Sequence, residues 1–258
     1  MDKLALIQKI KNDLDRVTSE FVAAKRNLRV AQRNLSNVQE NLPELEKKYY
    51  GVRNELKLMR RKLAYLENPN DLYIEEFFSK RHKGMRNWEI KLGKSLVELF
   101  QIKDVVDFGC GLGAYLEGAL LAGAERVLGY DLMHEKASKH ASETIKPYLR
   151  YANVGEPIDC GKFDCVLSIE TAEHLAEEEA DVFVDNLTNA SNRTIVLTAS
   201  NAGGRYHINR QLKPYWIDKL AAKNFKYSQE SVDKLYDIWH KNGAPGYILR
   251  NLMVFYGG

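Results

Sequence analysis

The stretch V-V-D-F-G-C-G-L-G, from Val105 to Gly113, decides the fold of this chain. A short apolar run ends at Asp107 and Phe108, and three glycines follow at alternate positions. A helical stretch and a second apolar run come next, and the second run ends at Asp131. Glycines let the backbone turn with positive φ and let a ligand approach the main chain. The order strand, glycine turn, helix, strand, acid predicts a βαβ nucleotide half-site, with the ligand outside the carboxyl ends of the strands.

The spacing of the glycines indicates which nucleotide. A dinucleotide site needs G-x-G-x-x-G, whereas here the glycines run G-x-G-x-G and position 116 is Leu. A NAD-type or purely structural βαβ unit is therefore the less favoured alternative. The run D-F-G-C-G-L-G, with an acid 24 residues after Asp107, resembles motifs I and II of class I S-adenosylmethionine (SAM)-dependent methyltransferases.

This resemblance implies an α/β fold with a Rossmann-like, doubly wound sheet of seven strands in the order 3-2-1-4-5-7-6. It also implies SAM as the cofactor, with the carboxylate of Asp131 accepting the two ribose hydroxyls and Asn153 near the adenine. The full set of predicted cofactor-binding residues is Asp107, Gly109, Gly111, Gly113, Asp131, Asn153 and Ser168. For Asn153, a simple turn residue is the open alternative.

Charge is distributed unevenly along the chain. The net charge of +3 over 258 residues divides into +6 for residues 1–67 (15 Lys and Arg, 9 Asp and Glu) and −3 for the rest (23 and 26). The catalytic part is therefore not a basic nucleic-acid binder on charge alone. No apolar run approaches the roughly 20 residues of a membrane span, and three cysteines without metal spacing indicate a reduced, cytoplasmic protein.

Residues 3–67 carry a regular heptad in which apolar side chains alternate at spacings of three and four, which predicts an α-helical coiled coil. Pro43 interrupts it. Either the rod kinks and continues, or one helix ends near Asn41 and a second begins with Pro43 in its first turn, which makes a hairpin. We favour one long rod that buries its stripe by forming a homo-oligomer. The excess of Lys and Arg in residues 1–67 is explained by a solvent-exposed helix face. The more specific alternative is that these residues attach the protein to an acidic surface or partner.

These patterns divide the chain into three segments. Residues 1–67 are the predicted coiled-coil oligomerisation segment, and a change of chemistry at Asn68-Pro69-Asn70-Asp71 ends it. Residues 68–104 are predicted as a linker and helical lid, because F-F-S-K-R-H-K-G-M-R-N-W resembles the segment that lids the cofactor in many methyltransferases. Plain packing of a helix on the sheet is the alternative. Residues 105–258 form the predicted methyltransferase domain.

The reacting groups are expected at the carboxyl ends of the fourth and fifth strands. Glu170, Glu173 and His174 lie at i, i+3 and i+4, and His207 follows the next strand. Carboxylates and imidazoles together suit a divalent metal such as Mg²⁺ or Mn²⁺. The E-x-x-E-H segment resembles ubiquinone-biosynthesis O-methyltransferases and, with the later His, small-RNA 2′-O-methyltransferases that hold a metal at the four matching positions. A metal-free base at His174, assisted by Glu170 and His207, and a purely structural role stay open.

The segment H-I-N-R-Q-L-K-P-Y-W-I, with the closing A-P-G-Y-I-L-R-N-L-M-V-F, resembles methyltransferases of polysaccharide clusters. We therefore expect O-methylation of a hydroxyl on a glycan or small-molecule acceptor. Two alternatives remain, an RNA 3′-terminal 2′-O-methyltransferase and a non-catalytic SAM-binding scaffold.

Overall fold

The computed structural model describes residues 3–33, 42–67, 86–132, 137–204 and 206–257. The chain divides into two compact units, Met1–Leu72 and Tyr73–Gly258, and each is described by itself.

The first unit contains two helices, α1 (Lys3–Arg33) and α2 (Leu42–Glu67), which pack against each other. Lys11 near the start of α1 forms an ion pair with Glu67 at the end of α2, with Nζ and Oε1 2.8 Å apart. Phe21 stacks on Tyr49 with ring centroids 5.4 Å apart. These contacts define an antiparallel hairpin.

The expectation of one continuous rod is therefore wrong, and the two described helices agree with the hairpin alternative. The predicted end of the first helix near Asn41 lies outside the described residues. Pro43 is the second residue of α2. In the first turn of a helix the backbone N–H has no partner within the helix, so its absence in proline costs no hydrogen bond.

The heptad stripe lies in the seam between the two helices. Ile10, Val17 and Leu56 are buried there. The neighbouring heptad positions on both helices, such as Leu14, Phe21, Tyr49 and Val52, are half-buried. One chain thus covers much of its own stripe, and oligomerisation through residues 3–67 stays a prediction.

The second unit is built on a seven-stranded sheet in the order β3-β2-β1-β4-β5-β7-β6, the order that the resemblance to class I methyltransferases implies. The strands are β1 Asp104–Phe108, β2 Arg126–Asp131, β3 Leu149–Tyr151, β4 Phe163–Ile169, β5 Ser191–Thr198, β6 Phe225–Tyr227 and β7 Met253–Gly257. Strand β7 runs antiparallel to β5 and β6, and the pairs among β1 to β5 are parallel. Parallel strands packed on both faces are almost wholly apolar, as the buried run in β4 shows.

Helices flank this sheet. They are α3 Arg86–Phe100, α4 Ala114–Leu121, α5 Ala180–Ala190, α6 Lys213–Ala221, α7 Gln229–Lys241 and α8 Gly246–Asn251. Within the described residues, no helix is both long enough and apolar enough to cross a membrane.

Helix α3 is the described part of the segment predicted as linker and lid. Its residues Leu92 and Leu96 are buried in the main core, and the indole Nε1 of Trp239 in α7 donates to Ser95 Oγ at 3.1 Å. This helix therefore packs in the same unit as the sheet. The lid prediction for residues 68–85 lies outside the described residues.

The parallel strands all end at one edge of the sheet. The residues that follow β1, β2, β4 and β5 are those to which the sequence assigns ligand and acceptor binding. Both candidate regions are therefore placed on this edge by the topology.

Candidate active site

The first region is the glycine turn, Gly109–Gly113, which follows β1. Its three glycines have φ values of 89°, 53° and 70°, in the left-handed region that favours glycine. A Cβ added to Gly109 would lie 2.1 Å from Thr171 Oγ1, so this glycine lets the turn pack against the segment after β4. A Cβ on Gly111 would meet nothing within 4 Å. The backbone of Gly111 therefore borders open space, as a ligand approaching the main chain requires.

The acid at the end of β2 is bonded to this turn. The backbone N–H of Gly111 donates to Asp131 Oδ2 at 2.8 Å. The N–H groups of Gly109 and Cys110 both donate to the carbonyl of Tyr130, at 2.8 and 3.1 Å. These three bonds therefore hold the glycine turn against the end of β2, so that Asp131 lies beside Gly111 although the two are 20 residues apart along the chain.

Two predicted cofactor residues lie inside the sheet. Asp107 on β1 is buried beside Gly129 of β2 and Leu167 of β4. Ser168 on β4 is fully buried, and its hydroxyl donates to the Phe108 carbonyl at 2.6 Å. That bond ties the end of β1 to β4 just before the glycine turn. The structure therefore gives Ser168 a positioning role, and direct cofactor contact by either residue stays a prediction.

Asn153 follows β3 and shapes the next turn. Its Oδ1 accepts from the Gly155 N–H at 3.0 Å, and its Nδ2 donates to Glu156 Oε1 at 3.3 Å. This is the turn role that the sequence left open for Asn153. An adenine contact remains a prediction.

The second region begins with Glu170, directly after β4. Glu170 has a φ of 53°, which is uncommon for a residue with a side chain. Its N–H donates to Thr198 Oγ1 at 2.8 Å, and its Oε1 accepts from Asn251 Nδ2 at 3.1 Å. Bonds from the ends of β5 and α8 thus hold this strained residue in place.

Glu173, His174 and His207 form what we call the histidine cluster. One potential ligand atom from each residue lies within 4.8 Å of the other two. The two imidazole rings meet edge to face, with centroids 4.8 Å apart. The Glu173 carbonyl accepts from the N–H groups of Ile208 and Asn209, at 2.9 and 3.0 Å, and so brings the loop after β5 to the segment after β4.

Both imidazoles are oriented by backbone carbonyls. His174 Nδ1 lies 3.2 Å from the Tyr206 carbonyl, and His207 Nδ1 lies 2.9 Å from the Ala202 carbonyl. A carbonyl can only accept, so each bond places the proton on Nδ1 in the neutral ring. The lone pair is then on Nε2, which suits a general base or a metal ligand.

Glu173 has the strongest electrostatic perturbation of the region. Its side chain is fully buried. Burial raises the pKa of Glu173 well above its usual value, and the nearby Glu170 carboxylate raises that pKa further. A bound cation would reverse this preference and favour the ionised form.

The structure thus brings together three of the four predicted metal ligands, while the Glu170 carboxylate is bonded to Asn251. Sequence reasoning missed Asn251 and Thr198. Asn251 lies in the closing segment quoted above, but nothing in that segment indicates a contact with Glu170, 81 residues away along the chain. Thr198 belongs to none of the quoted motifs.

Comparisons with known proteins bear on the fold of the second unit. Residues 106–190 match the methyltransferase domain family. The chain is similar in structure to an amino pentose methyltransferase from Micromonospora echinaspora, solved with SAM bound. The identity is 13%, the match covers 72% of this chain and 98% of that one, and the TM-score is 0.52.

A second similar structure is magnesium protoporphyrin IX methyltransferase from Synechocystis, solved with bound SAH. It is 17% identical over 66% of this chain and 84% of that one, with a TM-score of 0.49. A search of curated proteins finds no match. The family match and the strand order together define the fold of the second unit as the Rossmann-like fold of class I methyltransferases.

Proposed function

We propose that this protein is a SAM-dependent methyltransferase that methylates a hydroxyl group on a glycan or small-molecule acceptor. One observation carries the proposal. Gly111 borders open space on the side where a Cβ would project, and its N–H donates to the Asp131 carboxylate, within the residues 106–190 that match the methyltransferase domain family. SAM supplies an activated methyl group, so the chain itself has to hold the donor, orient the acceptor and accept its proton.

The glycine turn and Asp131 fit the cofactor. Exposed backbone at Gly111 can pack against the amino-acid end of SAM, and a carboxylate at the end of β2 can accept the ribose hydroxyls. Asp107 and Ser168 support the turn from inside the sheet, and Asn153 borders the turn after β3, where we place the adenine.

The histidine cluster fits the acceptor side. As a general base, His174 would take the hydroxyl proton on Nε2, which its Nδ1 bond to the Tyr206 carbonyl leaves as the basic nitrogen. Glu170 and His207 border this position. Glu173, His174 and His207 also offer the carboxylate oxygen and imidazole nitrogens that suit Mg²⁺ or Mn²⁺, with Glu170 beside them. A cation held there would orient the acceptor hydroxyl and make it more acidic.

Calorimetry with SAM tests the cofactor half of the proposal. The wild type should bind SAM, and Asp131→Ala should weaken binding by about tenfold or more, because hydrogen bonds to a charged group contribute about 1.5–3 kcal/mol. Asp159→Ala, an exposed acid after β3, is the control. Absence of SAM binding, or equal binding by wild type and Asp131→Ala, would count against the proposal.

A methyl-acceptor screen with labelled SAM tests the acceptor half. Glycans, small hydroxylated molecules and RNA serve as acceptors, each with and without a chelator. We expect label on a sugar or small-molecule hydroxyl. Loss of that transfer with chelator, and its return with added Mg²⁺ or Mn²⁺, supports the metal, whereas full activity with chelator supports the metal-free base. Label on RNA alone would favour the 2′-O-methyltransferase, and no transfer would favour the scaffold.

We also propose that the protein acts in the cytoplasm, since Cys110, Cys160 and Cys165 are all free thiols. Self-association through residues 3–67 would use the half-buried seam positions of two hairpins in a helix bundle. Light scattering would detect it as a mass above that of one 29.6 kDa chain.

A further inference from the structure

The helical hairpin carries a large excess of positive charge. Ten exposed basic side chains of α1 and α2 form no ion pair with another described residue. They are Lys3, Lys9, Lys25, Arg26, Arg29, Lys47, Lys48, Arg53, Lys57 and Arg60. Four exposed acids of the two helices, Asp15, Glu44, Glu46 and Glu55, also form no ion pair with another described residue, so the excess is smaller than ten charges but still positive. An excess of positive charge attracts an anionic partner.

Half of these side chains lie at the closed end of the hairpin, where α1 ends and α2 begins. Lys11 pairs with Glu67 and Phe21 stacks on Tyr49, so the helices run antiparallel and the part of α1 after Phe21 lies beside the part of α2 before Tyr49. Lys25, Arg26 and Arg29 on α1 and Lys47 and Lys48 on α2 therefore share one end. We call these five residues the closed-end patch.

An exposed aromatic ring adjoins this patch. Tyr50 is 54% exposed, although it follows directly after Lys47, Lys48 and Tyr49. Its ring contacts the Tyr49 ring edge to face, with centroids 5.3 Å apart, and Tyr49 is in turn stacked on Phe21. Tyr50 is thus a braced aromatic surface beside several cations, which is the combination that single-stranded nucleic acids bind.

The rest of the hairpin argues against a membrane surface. A helix that lies on a membrane needs one continuous apolar face. Here the apolar stripe is turned into the seam, and the exposed apolar side chains Leu4, Val22 and Val30 are at different heptad positions. Among the described residues, the exposed surface of the closed end therefore consists mainly of charged side chains and the ring of Tyr50.

We propose that the closed-end patch binds single-stranded nucleic acid, with its lysines and arginines on the phosphates and Tyr50 stacked on a base. This proposal goes beyond the proposed methyl transfer and does not depend on it. It also accounts for the charge asymmetry, because the basic side chains lie on the hairpin while residues 68–258 carry a net charge of −3.

The experiment measures binding of the full chain to a fluorescein-labelled single-stranded RNA of mixed sequence by anisotropy, at several salt concentrations. The patch variant replaces Lys25, Arg26, Lys47 and Lys48 with Gln. The matched control replaces Lys3, Lys9, Lys57 and Arg60 with Gln at the opposite end of the hairpin. Both variants remove three lysines and one arginine, all of them exposed, and circular dichroism checks that both keep their helix content.

We expect the patch variant to lose about tenfold or more in affinity near physiological salt, with a salt dependence shallower by up to about 3, since each phosphate contact on a single strand contributes about 0.7. The control should lose less than about threefold. Equal losses in the two variants would overturn the proposal, since they would show an effect of net charge alone. Absence of RNA binding by the wild type would overturn it as well.

Tyr50→Ala gives a second, independent measurement. It should weaken RNA binding about fivefold or more, because a stacked base is lost, and leave binding to inorganic polyphosphate unchanged. Equal binding of RNA by Tyr50→Ala and wild type contradicts the stacking role. Vesicles of anionic lipid are the last arm, and binding to them that exceeds RNA binding at the same salt would show that the patch serves a membrane instead.

Discussion

The glycine turn and the histidine cluster lie on the same edge of one sheet, but they are built in different ways. The glycine turn offers backbone atoms, and its ligand face is open because Gly111 has no side chain. The Asp131 side chain is bonded to this turn through the Gly111 N–H. The histidine cluster uses side chains from two loops, and each imidazole is held by a carbonyl of the loop after β5.

This difference implies different sensitivities. A site made of backbone is damaged when atoms are added to it, whereas a site made of side chains is damaged when atoms are removed. Substitutions on the two sides should therefore separate cofactor binding from turnover, and the expected effects can be ranked.

The largest effect should follow from His174→Ala. Loss of the base or metal ligand should lower the rate of methyl transfer by about 10²–10⁴-fold, while SAM binding stays within about twofold since no atom of the glycine turn changes. Single-turnover assays and calorimetry measure the two quantities. His240→Ala, an exposed histidine of α7, is the control. If His174→Ala weakened SAM binding as strongly as turnover, the separation of the two regions would be incorrect.

The next effect comes from adding one methyl group to the glycine turn. Gly109→Ala should lower the free energy of unfolding by about 3 kcal/mol, because a left-handed backbone is combined with a Cβ 2.1 Å from Thr171 Oγ1. Gly111→Ala should lower it by only about 1 kcal/mol, for the backbone alone. Its methyl group fills the open face, so SAM affinity should fall by more than about tenfold, which is about 1.4 kcal/mol of binding free energy. Denaturant unfolding and calorimetry measure both.

A Gly111→Ala protein that binds SAM as the wild type does would show that the open face is not the cofactor site. Equal destabilisation by the two substitutions would mean that the close approach to Thr171 adds nothing to the loss of stability in Gly109→Ala.

The same contrast explains how much the sequence could predict. The turn and its acid follow from a pattern that lies within one βαβ unit, between Asp107 and Asp131. The strand order follows from the resemblance of that pattern to known methyltransferases. The bond from Asn251 to Glu170 joins positions 81 residues apart, and no periodicity encodes it. The hairpin was the less favoured alternative for another reason: a heptad describes which faces are apolar, and the same stripe serves a rod or two helices folded together.

A smaller effect is expected from Gly204→Ala in the loop after β5. A Cβ there would lie 2.3 Å from His207 Nε2, so the imidazole must move although no ligand is removed. Misplacing a reacting group should lower turnover by about tenfold without changing SAM binding. Gly203→Ala is a close control, because its Cβ would be 3.7 Å from its nearest neighbour, the Arg210 Nη1. Equal activity of the two variants would show that the position of the His207 imidazole is not important for the reaction.

The smallest effect tests the contact that the sequence could not indicate. Asn251→Ala removes the hydrogen bond that orients the Glu170 carboxylate, and a bond of this kind contributes about 1 kcal/mol, so turnover should fall by about fivefold. The free energy of unfolding should fall by about 1 kcal/mol at most. SAM binding should change little, since the cofactor side is untouched. Asn189→Ala, an exposed residue of α5, is the control. An unchanged rate in Asn251→Ala would mean that the Glu170 carboxylate has no part in the reaction. Glu170 would then act only through its backbone, whose N–H is bonded to Thr198, and the histidine cluster alone would act on the acceptor.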